Sequence, residues 1–249
     1  MTDLDRRAVV TGVLAAAAGL GLAGCNQTAQ TASGATPVSA SQTTMRVADS
    51  PQLTGSYAAM YGPVDGEPFP IAGVNLSKID PVYLRREVTI STKEQPGTII
   101  IDPANHFLYL VLEGGKAMRY GVGVGREGFA WSGAASIKFK REWPDWYPPP
   151  EMIAREPKLA AKLDHLQSGL GMKGGPGNPV GARAMYLWQN NKDTLFRIHG
   201  TIEPYSIGKS VSSGCIRMIN QDVLDLYARV PLESKVVVLG GSGMAVAQL

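Results

Sequence analysis

The sequence predicts a mainly β domain with one or two short helices, arranged as a sandwich or a partly closed barrel. Three observations carry that expectation. The 249 residues include 29 Gly and 17 Pro scattered among short apolar runs, the punctuation of many turns. Several of those runs alternate apolar and polar positions with a period of two. Only one stretch keeps a helical period between recognisable ends. At 44% hydrophobic, a chain of this length supports one sizeable core and is marginal for two.

Residues 98–102 form a short buried strand bounded by Gly97 and Pro103, and a turn at 102–105 follows. Residues 106–112 (HFLYLVL) are the next strand, turned back by Glu113, Gly114 and Gly115. Met118, Tyr120, Val122 and Val124 then alternate with polar or glycine positions, completing an antiparallel meander. Residues 129–181 differ: they hold Trp131, Trp143 and Trp146, three consecutive prolines at 148–150, and the run GGPGNPVG at 174–181. Residues 151–166 have helical character broken by Pro157, with His165 inside it. Strands resume at 184–188, 195–199 and 235–239. Between the last two lies the good helix, with Asn220 as candidate N-cap and Asp222 suited to the positive end of the dipole. Val223, Leu226, Tyr227 and Val230 fall on one face, and Pro231 ends it. The domain is read as 96–240, with 241–249 as a C-terminal tail.

The first 95 residues read as address and tether. Arg6 and Arg7 precede a sixteen-residue apolar run at 8–23, too short for a comfortable membrane span and similar to a twin-arginine export signal. Leu22-Ala23-Gly24-Cys25 resembles a bacterial lipobox, so residues 1–24 are read as a signal peptide and Cys25 as a lipidated N-terminus. Its rival is an ordinary signal cut after a small residue. Residues 25–55 are mostly Thr, Ser, Ala and Gln, which cannot bury enough surface to offset ordering entropy, and read as a flexible tether. Residues 56–95, punctuated by prolines, read as an extended arm packed on the domain. The net charge of +3 is too weak to argue for nucleic acid.

Two stretches carry chemistry: Ile198-His199-Gly200-Thr201 at the end of a strand, and Ser212-Ser213-Gly214-Cys215-Ile216-Arg217-Met218 just before the helix. A free thiol, with a pKa near 8.5, is mostly protonated at neutral pH, and an imidazole can take its proton and leave a nucleophile. Small residues at 212–214 admit a substrate carbonyl, and backbone N–H groups there can donate to an oxyanion; losing one such donor costs roughly 3–4 kcal/mol. Arg217 would lower the thiol pKa. One His and one Cys cannot make a metal site. His106 and His165 read as structural. With only Cys25 and Cys215 present, one disulfide is conceivable; if Cys25 is lipidated, Cys215 is an unpartnered thiol in an oxidising compartment, which favours a chemical use.

These residues resemble the catalytic domain of the L,D-transpeptidases, through His199-Gly200-Thr201, Ser212 to Met218, the helix with Asp222 and Leu226-Tyr227, and the lead-in Gly174 to Arg183. The resemblance implies that Cys215 attacks the bond between the L-centre of a diamino acid and the terminal D-Ala of a peptidoglycan tetrapeptide stem. His199 accepts and returns the proton, and the Gly200 main-chain carbonyl orients its ring. Ser213 and Gly214 shape the oxyanion site, while Arg217 and Ser212 bind substrate or brace the loop. It implies a thioester passed to an amine of another stem, or of a wall lipoprotein, with no metal or organic cofactor. The expected place is the periplasm, with the membrane reached only through the N-terminal lipid; Asn26 after Cys25 leans towards the outer membrane. Trp146, with Trp143 and Tyr147, is a candidate substrate contact. The alternatives are a sortase-like cysteine transpeptidase, whose arginine would stand farther from the cysteine, and a non-catalytic wall-binding lipoprotein.

Overall fold

The computed structural model describes residues 46–49, 57–125, 132–212 and 214–240. The expected signal peptide, Cys25, most of the tether, Trp131, Ser213 and the C-terminal tail lie outside the described residues.

A mainly β fold with few short helices is what the chain adopts. Fourteen strands are described: β1 (Arg46–Asp49), β2 (Arg86–Ser91), β3 (Ile99–Asp102), β4 (Phe107–Leu112), β5 (Lys116–Gly121), β6 (Val124–Gly125), β7 (Gly133–Glu142), β8 (Asp164–Leu166), β9 (Gly169–Gly171), β10 (Arg183–Gln189), β11 (Lys192–His199), β12 (Ser210–Ser212), β13 (Ile216–Arg217) and β14 (Lys235–Val238). Ten make one mixed sheet in the order β1-β2-β5-β4-β3-β14-β7-β10-β11-β13, and β12-β6 and β8-β9 make two small ribbons. The meander β3-β4-β5 pairs antiparallel as its alternation predicts. Strand β14 returns from the far end of the chain to lie parallel to β3 and antiparallel to β7.

The alternation sorts side chains to two faces. Ile99, Ile101, Leu108 and Leu110 join Val223 and Leu226 in the main core, while Ile100, Tyr109 and Val111 pack with Val88 and Ile90 on the opposite face. Burying each such side chain stabilises the fold by about 2 kcal/mol.

Among the described residues four short α-helices accompany the sheet: α1 (Tyr57–Met60), α2 (Pro150–Arg155), α3 (Pro157–Ala160) and α4 (Asn220–Arg229). Pro157 both ends the helical run and opens α3, because its fixed φ suits a first helical position. His165 sits in strand β8, not in a helix, since the run after Ala160 turns back to pair with β9. Helix α4 buries Val223 and Leu226 as expected, but its N-cap is Ile219, and Asn220 is its first helical residue. The Asn220 side chain leaves the helix and accepts a hydrogen bond from Ala182 N at 3.0 Å. At the other end Lys140 Nζ donates to the carbonyls of Tyr227 and Val230, satisfying orphan helix acceptors.

The segment read as an arm is bound closely. Its strand β2 pairs with β5. Tyr61, Ile79 and Leu84 form a third apolar cluster with Ile207 and Ile219. Glu67 receives two hydrogen bonds from Arg183, at 2.6 and 2.8 Å, and one from Trp143 Nε1 at 2.9 Å.

Candidate active site

His199 closes β11, and the next strand at that edge of the sheet is β13, which runs parallel to it. Ile198 is registered against Ile216 and His199 against Arg217. Both isoleucines are fully buried. Alternation therefore turns His199 and Arg217 to the other face, and Cys215 stands immediately before β13. His199 and Cys215 share their charged surroundings, since Arg197 and Arg217 act on both side chains.

The loop that delivers Cys215 is held by backbone pairing. Gly123 and Arg217 exchange two hydrogen bonds, at 2.9 and 2.8 Å, and β6 pairs with β12, whose last residue is Ser212. Gly214 has φ +124°, a conformation that L side chains rarely adopt, so the residue before the cysteine is glycine for a backbone reason.

The imidazole Nδ1 of His199 lies 2.6 Å from the Gly200 carbonyl oxygen. A carbonyl only accepts, so this contact favours the tautomer with the proton on Nδ1 and the Nε2 lone pair free. The ring is buried, and burial lowers its pKa to about 4; Arg217 and Arg197 lower it too, while the Gly200 and Val180 carbonyls work the other way. The imidazole is therefore neutral at pH 7.

Cys215 is partly buried, and its Sγ lies 4.0 Å from the Leu195 carbonyl. Burial raises its pKa above the ordinary thiol value; Arg197 and Arg217 lower it, but by less. The resting pair is accordingly a neutral thiol and a neutral imidazole, not a preformed ion pair.

Leu195 was not singled out by sequence reasoning. Between Tyr186 and Trp188 the pairing of β10 with β11 shifts, so that Leu187 alone faces residues 194–196. Leu195 lies in this bulge at φ +64°, with its side chain 75% exposed. Asp193 Oδ1 accepts from Leu195 N, and Thr194 Oγ1 accepts from Phe196 N, which stabilises the kink. A left-handed leucine costs about 1–2 kcal/mol and persists only where its surroundings impose it. Here it aims a carbonyl at the thiol.

Arg217 Nη1 is paired with Glu203 Oε2 at 3.1 Å, so it braces the loop after His199. Trp146 exchanges backbone hydrogen bonds with Met172, and Trp143 packs edge-on to Phe69 of the arm. A cavity of about 450 Å³ adjoins this region, lined among others by Trp143, Thr201, Tyr205 and residues 70–75 of the arm.

The family model of YkuD, described as the L,D-transpeptidase catalytic domain, matches residues 96–238, more than half of the chain. The chain belongs to this family. Among curated L,D-transpeptidase relatives, it is 33% identical over 104 residues to the probable L,D-transpeptidase ErfK/SrfK of Escherichia coli K12, covering 42% of this chain and 30% of that one. It is 35% identical over 108 residues to a putative L,D-transpeptidase of Fuscovulum blasticum, covering 43% of this chain and 49% of the other. The chain thus spans about a third to a half of the length of these relatives. A crystal structure from Brucella melitensis, named a probable carnitine operon oxidoreductase, is 53% identical, with 66% of this chain and 99% of that chain covered at a TM-score of 0.43. The family match, unlike that name, spans the residues that carry the His199 and Cys215 motifs.

Proposed function

We propose that this L,D-transpeptidase family member is a cysteine acyltransferase acting on peptidoglycan stem peptides, with Cys215 as nucleophile and His199 as its base. What supports the reading is that His199 ends β11 and Cys215 stands immediately before the neighbouring strand β13, that Arg197 and Arg217 act on both, and that the Gly200 carbonyl favours the tautomer with Nε2 unprotonated.

The thiol proton passes to His199 Nε2 as Sγ attacks the carbonyl between the L-centre of the diamino acid and the terminal D-Ala. The tetrahedral oxyanion is received by backbone N–H groups at 213–215. The C–N bond then breaks, the imidazolium gives its proton to the departing D-Ala amine, and a thioester remains. An amine of a second stem, or of a wall lipoprotein, attacks the thioester and loses its proton to His199. Cys215 leaves as thiolate and is reprotonated. Because the ground-state thiol is neutral, proton transfer and attack are coupled. Arg217, fixed by Glu203, sits beside His199 and is suited to hold a substrate carboxylate or the loop itself. Trp146 is proposed as a wall of the substrate groove.

The same reading places the protein in the periplasm, lipidated at Cys25. Among the described residues no helix is long and apolar enough to cross a membrane. Mass analysis of the mature N-terminus tests the anchor: an unmodified Cys25, or a start beyond it, rejects it. Incubating the purified chain with a disaccharide-tetrapeptide tests the chemistry. The enzyme mass should rise by the acyl group with release of D-Ala, and Cys215→Ala should abolish the adduct; an adduct surviving that change rejects the nucleophile.

A further inference from the structure

The residue after His199 must be a glycine for a reason that lies in helix α4. A Cβ built on Gly200 runs into Asn220 Oδ1 and presses on Ala182 N and Val223 Cγ1 at 3.2 Å. A Cβ on Gly181 meets the same Asn220 oxygen. That oxygen accepts from Ala182 N. Gly200 is thus held at three points: its N–H on the Arg183 carbonyl at 3.0 Å, its Cα against the Asn220 carboxamide, and its carbonyl on the His199 ring.

Asn220 is itself held from behind. The next residue, Gln221, donates from Nε2 to the carbonyls of Gly62 and Ala72, at 2.9 and 3.0 Å. Asp222 accepts from Tyr61 Oη at 3.1 Å and lies 3.7 Å from Arg85 Nε, and Arg85 N donates to Tyr61 Oη at 2.6 Å. Gly62, Ala72, Tyr61 and Arg85 all precede residue 96, where the family match begins.

Building on the acyl-transfer reading, we propose that Asn220 is a positioning residue for His199, and that residues 61–85 keep it in place through Gln221 and Asp222. Asn220 touches no reacting atom. It fixes the plane of the Gly200 peptide, whose carbonyl selects the imidazole tautomer with a free Nε2.

The test uses the whole mature chain, with the acylation rate by a disaccharide-tetrapeptide and the ¹⁵N signals of the His199 ring as readouts. The wild type should show one tautomer, protonated at Nδ1. Asn220→Ala should give a tautomer mixture and a roughly ten- to thirtyfold lower acylation rate, with KM within about twofold. Asn220→Asp, which keeps the acceptor, should restore the single tautomer. Gly200→Ala should be impaired alone and relieved in the Asn220→Ala background, because the freed space takes the new methyl. Gln221→Leu, which cuts both links to the arm and leaves the site residues intact, should reproduce the mixture in milder form. An unchanged tautomer in Asn220→Ala, or additive losses in the double variant, overturns the role of Asn220. Should the alanine variants not fold, an unchanged tautomer and rate in Gln221→Leu overturns the role of the arm. A wild type that forms no acyl-enzyme defeats the acyl-transfer reading instead, while the ring signals still decide the positioning.

Discussion

The Nδ1 atom of His199 and the carbonyl oxygen of Gly200 are 2.6 Å apart, in consecutive residues. A main-chain carbonyl here does the orienting that a carboxylate performs in many nucleophile–base pairs, and it brings no negative charge. The Gly200 and Val180 carbonyls offset only part of the burial that drives the imidazole pKa down to about 4. A weaker base results, but one that is unprotonated at neutral pH.

The first prediction concerns that ring. Below its pKa the imidazole is charged and cannot accept the thiol proton. In the free enzyme kcat/KM should stay level from pH 7 to about 5 and fall with a midpoint near 4, not near the 6.5 of an ordinary histidine. A profile of initial rates in buffers of constant ionic strength measures this. A midpoint of 6 or above would contradict a neutral, buried base.

The second concerns the sulfur. Because burial outweighs Arg197 and Arg217, the Cys215 thiol should react with iodoacetamide more slowly at pH 7 than free cysteine, with an alkylation midpoint above that of a free thiol. Fast neutral-pH alkylation would mean a preformed thiolate and a different proton inventory for the first step.

Much of this was legible in the sequence, and for physical reasons. Ile99 to Ile101 and residues 107–112 are unbroken apolar runs because both faces of their sheet are covered. Strand β7 was not visible, although it is central. Its residues Gly133-Ala134-Ala135-Ser136 are small, and only Ala135 and Ile137 in it are buried, so the period is faint. Asn220 had the composition of a cap and took a tertiary partner instead, because Ala182 N needed an acceptor and glycines at 181 and 200 left room. The Leu195 kink carried no local signal at all: leucine is a poor left-handed residue, and the bulge arises from pairing with β10.

The third prediction tests the anchorage of the arm. Arg183 and Glu67 are both largely buried, at 9% and 15% side-chain exposure, and their bidentate contact is completed by Trp143. Removing one member of such a pair strands the other charge, which typically costs about 3–5 kcal/mol. Glu67→Ala should lower the midpoint of chemical denaturation accordingly. The double variant Glu67→Ala/Arg183→Met should recover part of the loss, since no charge is then stranded. Equal stability of wild type and Glu67→Ala would show that the arm is not held there.

The fourth prediction sets two buried groups against each other. His199 has a folded pKa of about 4 against 6.5 when exposed, so the unfolded chain takes up a proton that the native ring refuses. Stability contributed by the neutral ring is full above 6.5 and is lost as pH falls towards 4, on the order of 3 kcal/mol in all. Asp222 behaves in the opposite sense. Burial lifts its carboxyl to about 7, despite Arg85 and Tyr61, which pull it down. The native state then holds a proton that the unfolded chain has released, and stability is lost as pH rises from about 4 to 7. Over roughly pH 4 to 6.5 the two slopes have opposite signs and should largely cancel, leaving wild-type stability nearly flat. Asp222→Asn preserves the shape of the neutral acid, and Arg85 keeps its 3.0 Å contact with Asp225. The variant should therefore fold and expose the histidine slope alone, losing about 1.4 kcal/mol per pH unit towards acid through the middle of the window. Urea denaturation of both proteins at half-unit steps measures the difference. Parallel pH profiles for the two would mean that Asp222 is ionised in the native state at pH 6, and that the Tyr61–Arg85 pair solvates its charge well enough to hold it there.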